Sequence, residues 1–327
     1  MKRILLVICC FVFAFQVEAQ QDPQITQNMF NRQAINPAYA GSTECIEATL
    51  ISRQQWMGFE GNPKTNIFSS QGGFRVRQQY QMGAGLSIIQ DEIGPIQSLN
   101  VKGALAYHHR INQGVLSFGV EFGMFNQSIN GVWRTSEGNF DGTEDPSIPN
   151  AETGVTNFDL GLGLYYRNTD GLYVGLSTTH LNQSTFEDEV DDNSSLTFNQ
   201  ATNYYIMAGY NYPISLSNGA ELELQPSIFV KTDAVSSQVD LNTNVMYNNL
   251  LWAGVSYRMQ DAVSFLTGVN IGEVVQDLDG LRIGLAYDFN TSALSDYNDG
   301  SFEFMLTYCY KIKKVIKLER YKSVRFL

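Results

Sequence analysis

The sequence of 327 residues lacks features on which several classes of protein depend. Two of its four cysteines lie in the N-terminal apolar run, so too few remain for a disulfide scaffold. Beyond residue 20, no window approaches the roughly 18 consecutive apolar residues that a membrane-spanning helix needs. Downstream of residue 43, apolar residues do not recur with helical spacing. These absences exclude a helical membrane protein and argue against a helical globular domain.

Patterns that carry chemistry are also missing. Of the histidines His108, His109 and His180, the first two are adjacent in a predicted strand and face opposite sides, so they cannot bind one metal ion. The acidic runs 141–145 and 187–192 lack the spacing and turn glycine of a calcium loop. No nucleophile elbow, phosphate loop or zinc motif is present. The sequence therefore indicates neither an enzyme nor a cofactor or metal site.

The first residues predict a secretory signal peptide. A basic start at Met1–Arg3 precedes the apolar run Ile4–Phe15, and Val17–Ala19 form a small-residue cleavage site. Cys9 and Cys10 lie inside the apolar run, so they do not indicate lipid attachment. We expect residues 1–19 to be removed and the mature chain to begin at Gln20.

Charge is distributed unevenly along the chain, whose net charge is −12. Residues 20–310 contain 12 basic and 31 acidic residues, whereas residues 311–327 contain seven basic residues and Glu319. The basic residues of the tail are Lys311, Lys313, Lys314, Lys317, Arg320, Lys322 and Arg325. This tail is either a plain solvated terminus or a segment that docks an acidic periplasmic or membrane-associated partner.

Apolar residues alternate with small or polar ones through most of the chain, which predicts β-strands. In residues 115–126 the apolar positions 116, 118, 120, 122 and 124 alternate with small or polar ones, and in residues 158–167 positions 158, 160, 162, 164 and 166 do the same. Fourteen strands are predicted, near residues 44–57, 65–78, 81–91, 97–111, 114–127, 155–168, 171–182, 201–213, 219–232, 236–247, 250–259, 262–272, 280–290 and 301–312.

Strand length and number favour an all-β transmembrane barrel, antiparallel and up-and-down, of about 14 strands. Many strands reach the roughly 9 to 11 residues needed to cross a bilayer, and lipid requires the sheet to close. Short turns at even connections and long segments at odd ones, residues 128–154 and 183–200, fit this arrangement. Aromatic residues near strand ends predict an interfacial girdle: Tyr166, Tyr210, Tyr212, Tyr257, Tyr287, Phe289, Tyr308 and Tyr310. The alternative is a soluble β-sandwich.

Residues 21–42 show neither helical nor strand periodicity. Pro23 and Pro37 cannot donate ladder hydrogen bonds, and Asn36 and Gly41 suit turns. Amide side chains in this stretch could satisfy backbone groups inside a polar lumen. We expect the segment to enter the periplasmic mouth as a plug or collar; the alternative is a disordered leader. The predicted organisation is a signal peptide (1–19), a plug segment (20–43), a barrel (44–312) and a basic periplasmic tail (313–327).

Barrel closure makes two further predictions about side chains. Cys45 begins the first strand and Cys309 lies near the end of the last, so the two could form a disulfide. Several arginines share the non-apolar parity with nearby carboxylates, which predicts an inward-facing charge network. These arginines are Arg53, Arg75, Arg77, Arg110, Arg167, Arg258 and Arg282. Such a network would make the lumen a poor open pore.

Four ordered motifs in the first hundred residues resemble a known family. They are the opening stretch 21–42, then Arg53-Gln54-Gln55-Trp56, then Gly61-Asn62-Pro63-Lys64-Thr65, then Asp91-Glu92-Ile93-Gly94-Pro95. In this order they resemble the PorP/SprF family of outer-membrane proteins of the type IX secretion and gliding machinery of Bacteroidota. The residues that carry the resemblance are Gln27, Phe30, Asn31, Asn36, Pro37, Tyr39, Gly41, Arg53, Gln55, Trp56, Gly61, Pro63, Thr65, Asp91, Gly94 and Pro95. Arg32-Gln33-Ala34 and the final Leu327 depart from the family pattern.

The resemblance implies an outer-membrane protein that supports export or surface attachment of an adhesin or other cargo by binding. Its implied partners are outer-membrane lipid, the cargo, the periplasmic ring and peptidoglycan-linked components, and no nucleic acid. The competing function is a solute channel of the porin or fatty-acid-transporter kind.

Overall fold

The computed structural model describes residues 22–77, 80–129, 133–135, 138–140, 153–183, 185–191, 194–217 and 219–311. The chain forms a closed antiparallel β-barrel of 14 strands, which confirms the predicted fold class. The predicted signal peptide, the acidic run 141–145 and the basic tail beyond Lys311 lie outside the described residues.

The barrel strands follow one another around the wall. They are β1 (Ile46–Gln54), β2 (Lys64–Val76), β3 (Tyr80–Ile93), β4 (Ile96–Ile111), β5 (Gly114–Ile129), β6 (Thr153–Asn168), β7 (Leu172–Thr179), β8 (Asn203–Tyr210, continued by Tyr212–Ser215), β9 (Glu221–Thr232), β10 (Ser237–Tyr247), β11 (Leu251–Arg258), β12 (Ala262–Asn270), β13 (Leu281–Asn290) and β14 (Ser301–Tyr310). Every strand pairs with its sequence neighbours, and β1 pairs with β14 to close the wall.

Alternation of side chains explains why these segments form a wall. On β5, Phe118, Val120 and Phe122 are each nearly half exposed on the outer face, while Ser117 and Glu121 are buried inside. The outer face is therefore apolar and the inner face small or polar, as an outer-membrane barrel requires. Of the predicted girdle residues, Tyr212, Tyr257, Phe289, Tyr308 and Tyr310 are exposed.

Short 3₁₀ helices lie before the first strand and in the connections between later strands. Three-residue 3₁₀ helices span Asn28–Phe30, Arg32–Ala34 and Pro37–Tyr39 before the first strand. Two more three-residue 3₁₀ helices lie at Ile271–Glu273 and Gln276–Leu278, and a five-residue one at Ala293–Tyr297. Within the described part of the chain, no helix has the length and hydropathy needed to span a membrane.

Several boundaries differ from the sequence prediction. The predicted strand 201–213 is two segments interrupted at Asn211, whose backbone N–H and carbonyl oxygen contact Gly171. The segment 183–200, predicted as a loop, contains a hairpin of Thr185–Asp191 and Ser194–Asn199. A second small hairpin joins Trp133–Thr135 to Gly138–Phe140. Both hairpins lie in connections, so the count of wall strands is unaffected.

The two ends of the barrel differ in their connections. At the turn end, where β1 begins and β14 finishes, most connections are short, such as those at 112–113 and 169–171. At the loop end lie the long connections 130–152 and 180–202. Cys45 and Cys309 are joined by a disulfide at the turn end, with their Cα atoms 5.6 Å apart. Exposed Lys311 contacts Asp279 there, with Nζ 3.0 Å from Oδ2.

Candidate functional site: a lumen filled by residues 22–42

Residues 22–42, called the lumen segment below, lie inside the barrel. Gly41 and Ala40 contact β2, β3 and β4 near the turn end, whereas Asp22 contacts His180 at the loop end. Thr26, Gln27, Asn36 and Ala38 are fully buried. The segment therefore runs lengthwise through the lumen, whereas the sequence prediction placed it only in one mouth. The difference arises because the inner face of the wall carries polar partners for the segment from the loop end to the turn end.

A charge cluster at the loop end fixes Thr26 and Gln27, in the first part of the lumen segment. Arg53 of β1 pairs with Asp288 of β13 at 2.7 Å and with Glu303 of β14 at 3.3 Å. The Glu303 carboxylate accepts the backbone N–H groups of Thr26 and Gln27, each at 2.8 Å. The Thr26 hydroxyl donates to Asp288 at 2.9 Å. These side chains are at most 2% exposed, so their charges are satisfied by other protein groups, including those of the segment.

Arg258 of β11 extends the same cluster. Its Nε lies 3.2 Å from Asp240 Oδ1 on β10, and its Nη1 lies 3.4 Å from Asp288 Oδ2. The cluster thus joins β1, β10, β11, β13 and β14 across the barrel interior. A guanidinium suits this role because its planar set of donors can contact several carboxylates at once.

A second set of contacts holds Asp22 at the loop end. Asp22 Oδ1 lies 2.9 Å from His180 Nε2, and His180 Nδ1 lies 3.0 Å from Asp159 Oδ1 on β6. The Tyr205 hydroxyl donates to the Asp22 carboxylate, and Lys231 Nζ donates to the Asp22 carbonyl at 2.6 Å. Strands β8 and β9 therefore contact Asp22 directly, and β6 is linked to it through His180.

Both ring nitrogens of His180 face carboxylates, which favours the imidazolium form. Burial opposes that form, but the charge of Asp22 and hydrogen bonds to Asp159 and Asp22 outweigh it and raise the pKa of His180 to about 9. Burial likewise opposes ionisation of Asp22, yet His180 holds the pKa of that carboxyl well below its usual range. The two groups form a buried ion pair near neutral pH.

Towards the turn end, the lumen segment approaches the wall by backbone contact. A Cβ placed on Gly83 of β3 would lie 1.8 Å from the Ala40 carbonyl oxygen, so only glycine fits there. Gly41 has φ +74°, a conformation that glycine adopts without strain. Asn36 anchors the adjoining 3₁₀ turn, since its Nδ2 donates to the carbonyl oxygens of Leu164 and Leu176 at 3.0 and 3.2 Å.

Polar and aromatic side chains complete the contact with the wall. His108 Nε2 lies 2.9 Å from the Ala40 carbonyl oxygen, and its Nδ1 lies 2.7 Å from Ser117 Oγ. The Arg32 guanidinium lies 3.8 Å from the centroid of the Tyr173 ring, a cation–π contact. Phe30 packs on Trp252 with ring centroids 4.4 Å apart. Arg32 departs from the family pattern, and tyrosine rings rather than a carboxylate surround it.

The structure brings the other three motifs together at the loop end. Thr65 Oγ1 donates to Asp91 Oδ1 at 2.5 Å, and the Gly94 N–H donates to the Gly61 carbonyl at 3.0 Å. Gln55 Nε2 donates to Gln24 Oε1 of the lumen segment at 3.4 Å, and its backbone N–H donates to Pro63 O. The Trp56 backbone N–H donates to Ser301 Oγ at 3.1 Å. Pro95 completes the turn between β3 and β4.

Of the arginines predicted to form an inward charge network, Arg53 and Arg258 pair with buried carboxylates, whereas Arg75, Arg77 and Arg110 do not join the network. These three are exposed at the turn end, where the described residues offer them no carboxylate partner. They have lumen parity but lie beyond the stretch of lumen that the charge clusters fill, so parity alone does not bring them to a carboxylate. Among the described residues, no group of three or more histidine, cysteine or acidic side chains is arranged to hold a metal ion.

Sequence reasoning missed most of the residues that anchor the lumen segment. Asp22, Asp159, His180, Tyr205, Lys231, Asp288 and Glu303 were not singled out as site residues. The available signal was weak: Asp159, Asp288 and Glu303 are carboxylates on the lumen side of predicted strands, and His180 lies near the end of another. Which of them meet across the barrel is not encoded in local spacing.

Solved outer-membrane barrels are similar to this chain at low sequence identity. The translocator domain of autotransporter NalP from Neisseria meningitidis is 14% identical, with 88% of this chain and 95% of that chain covered and a TM-score of 0.44. The toluene transporter TbuX from Ralstonia pickettii is 12% identical, with coverages of 88% and 93% and a TM-score of 0.46. The beta domain of the Bordetella autotransporter BrkA is 12% identical, with coverages of 82% and 99% and a TM-score of 0.42.

No curated protein sequence matches the chain. The model of one protein family, described as type IX secretion system membrane protein PorP/SprF, matches residues 17–308. That match spans the lumen segment and nearly the whole barrel. The chain therefore belongs to the PorP/SprF family of type IX secretion system membrane proteins and is located in the outer membrane.

Proposed function

We propose that this outer-membrane barrel supports export or surface attachment of an adhesin or other cargo by protein–protein binding, without catalysis. The occupied lumen is the observation that carries the proposal. The lumen segment is buried and is fixed by Glu303 at Thr26 and Gln27 and by His180 at Asp22. A lumen packed with its own chain suits binding through rims and loops better than passage of a solute.

The proposal includes an orientation and a set of partners. Outer-membrane barrels have short periplasmic turns and longer external loops, so the turn end would face the periplasm and the loop end the cell surface. The basic tail (313–327) would then face periplasmic ring and peptidoglycan-linked components, and the loops would meet the cargo. Residues 1–19 would be the signal peptide, 20–43 the plug segment and 44–312 the barrel.

Conductance in planar bilayers tests binding against transport. We expect the wild-type barrel to show no stable open-channel current and a variant lacking residues 22–42 to conduct. Stable current through the wild type that is blocked by a small solute would overturn the proposal in favour of a solute channel.

Association with cargo tests the protein–protein binding that the proposal requires. A tagged chain would be purified from native membranes after mild cross-linking, and its partners would be identified by mass spectrometry. We expect a large secreted surface protein and periplasmic secretion components. A tagged unrelated outer-membrane barrel of similar abundance serves as the control, and equal recovery of the same proteins by both would contradict the proposal.

A further inference from the structure

The longest connection between wall strands at the turn end joins β12 to β13 and is called the acidic connection below (residues 271–280). The other connections at this end run no longer than 216–220. Its two 3₁₀ helices fold back on themselves, since a Cβ placed on Gly272 would lie 2.7 Å from the Cα atom of Asp279. The connection is therefore a structured surface, larger than strand reversal requires.

The acidic connection exposes carboxylates and apolar side chains together. It contains no lysine or arginine, and its carboxylates Glu273, Asp277 and Asp279 are all exposed. Among the residues that the structure describes, no cation forms an ion pair with Glu273 or Asp277. Val274 is 68% exposed and Leu278 is 41% exposed beside these charges. Such a surface suits a segment that is both basic and apolar.

The chain leaves the barrel beside the acidic connection. The Cys309 N–H donates to the Gly280 carbonyl oxygen at 2.9 Å, so the end of β14 lies against the end of the connection. Lys311 follows, with Nζ 3.0 Å from Asp279 Oδ2. This exposed pair contributes little energy by itself. Its importance is that it tethers the tail next to the connection, where the tail has a high effective concentration.

The tail beyond Lys311 carries the complementary chemistry. Residues 312–327, which lie outside the described residues, contain six basic residues and one acidic residue, Glu319. Apolar residues are interleaved with the first cations of the tail: Ile312, Val315, Ile316 and Leu318. Sixteen residues can extend over about 50 Å, which is further than the ten residues of the connection can reach. The tail is therefore long enough to cover the whole connection.

We propose that residues 312–327 bind the acidic connection of the same chain. Lysine ammonium groups would meet Glu273 and Asp277, and the apolar residues between them would cover Val274 and Leu278. An anionic lipid surface would attract the same cations but would repel the carboxylates of the connection, whereas binding to the connection pairs both sets of charges. The proposal does not rest on the proposed function. It adds that a partner binding the tail would have to displace it from the connection.

Zero-length cross-linking tests the contact in the purified full chain. A carbodiimide joins a lysine amine to a carboxylate only when the two groups touch, and mass spectrometry of digests identifies the pair. We expect cross-links from Lys313, Lys314 or Lys317 to Glu273 or Asp277 in neutral detergent. They should fall several-fold at about 1 M salt, where charges are screened over about 3 Å. The Lys311–Asp279 cross-link is the internal positive control.

Tryptic cleavage of the tail measures the same contact without a cross-linker. The double variant Glu273→Gln/Asp277→Asn should raise the initial cleavage rate after Lys317 and Arg320 about threefold or more at low salt, the scale expected from two exposed ion pairs. Asp170→Asn is the matched control, because it removes an exposed carboxylate from another turn at the same end. Migration of unheated samples on gels verifies that each barrel is folded.

A second variant tests the apolar part of the contact. Val274→Ser removes an exposed apolar side chain without changing any charge and should also raise the cleavage rate. Val235→Ser is the matched control, since Val235 is 52% exposed in a connection at the loop end. Cleavage of the double variant at the wild-type rate, or absence of cross-links from the tail to the connection while Lys311–Asp279 forms, would overturn the proposal.

Other partners of the tail would give different results. Cross-links between isotope-labelled and unlabelled chains would assign the connection to the tail of a second copy and would overturn binding within one chain. Loss of the cross-links on addition of phosphatidylglycerol, but not of phosphatidylcholine with the same acyl chains, would assign the tail to the lipid surface. None of these measurements involves cargo, secretion components or conductance, so this contact and the proposed function can fail separately.

Discussion

His180 Nε2 lies 2.9 Å from Asp22 Oδ1, so the connection that follows β7 holds the loop-end part of the lumen segment. The pair is buried inside a closed wall, and His180 also contacts Asp159 on β6. One imidazolium therefore links a segment that lies inside the barrel to the wall that surrounds it.

This pair predicts a pH-dependent position of the lumen segment. The pKa of His180 in the folded chain, about 9, exceeds its ordinary value of 6.5. Its contribution, on the order of 3 kcal/mol, is therefore fully present below pH 6.5 and is lost as the pH rises through about 9. We expect protease cleavage within residues 22–42 to increase between about pH 8 and about pH 10, measured by mass spectrometry of limited digests.

The control for the pH prediction is a histidine outside the lumen. His180→Gln should be cleaved readily at all pH values, whereas His109→Gln, at an exposed position, should behave as wild type. Lys231, Tyr205, Lys102 and Glu121 also face this region: Lys231 and Tyr205 contact Asp22, and Lys102 pairs with Glu121 at 3.1 Å. A pH step that survives in His180→Gln would assign the titration to one of them.

Glu303→Gln should release the part of the lumen segment around Thr26 and Gln27. The substitution removes the charge that pairs with Arg53 and weakens the acceptors of the Thr26 and Gln27 N–H groups. Removal of one partner from a buried ion pair costs about 3 to 5 kcal/mol. We expect a lower midpoint of urea unfolding, read by the gel shift of unheated samples, and faster cleavage of the segment. Glu221→Gln, at an exposed position on β9, should change neither quantity.

Gly83→Ala should displace the turn-end part of the lumen segment while leaving β3 intact. The added methyl would meet the Ala40 carbonyl oxygen at 1.8 Å, so the segment has to move. Gly103→Ala on β4 is the matched control, because its nearest contact is an ordinary 3.5 Å to Phe122. We expect measurable current from Gly83→Ala in planar bilayers and none from Gly103→Ala; closed behaviour of both would contradict a lumen sealed by this contact.

The Cys45–Cys309 disulfide should stabilise the closure of β1 against β14. It joins residues separated by 264 positions, and a crosslink over so long a loop lowers the entropy of the unfolded chain substantially, by about 4 kcal/mol or more in chain-entropy models. Cys45→Ser should lower the temperature at which the barrel loses its compact gel mobility. Reduced wild type is the control and should match the variant. Free thiols in the wild type, detected by alkylation, would show that the bond is not formed.

The wall could be predicted from sequence because its rule is local. Phe118, Val120 and Phe122 face lipid in every second position, and this pattern needs no knowledge of distant residues. Strand lengths and connection lengths then favour a closed barrel. The break at Asn211 and the hairpin at 185–199 were not predicted, since they depend on contacts outside the period of the strand.

The filling of the lumen could be predicted only in outline. Parity assigns Arg53 and Arg75 to the same face, yet one lies at the height of Glu303 and Asp288 and the other near the turn end. The position of a side chain along the barrel axis depends on the register of all strands together. Local residue spacing does not determine that register. For the same reason His180 could be taken for an ordinary strand residue although its partner, Asp22, lies 158 positions away.

The backbone contact between Gly83 and Ala40 has a consequence for how the chain folds. If the lumen segment were withdrawn, wall residues that contact it this closely would border voids. Such voids cost free energy, because apolar groups lose packing contacts and buried polar groups lose hydrogen-bond partners. The barrel wall and the lumen segment are therefore expected to reach their final packing in a single cooperative step. In that step the lumen segment serves as an internal template around which the sheet closes.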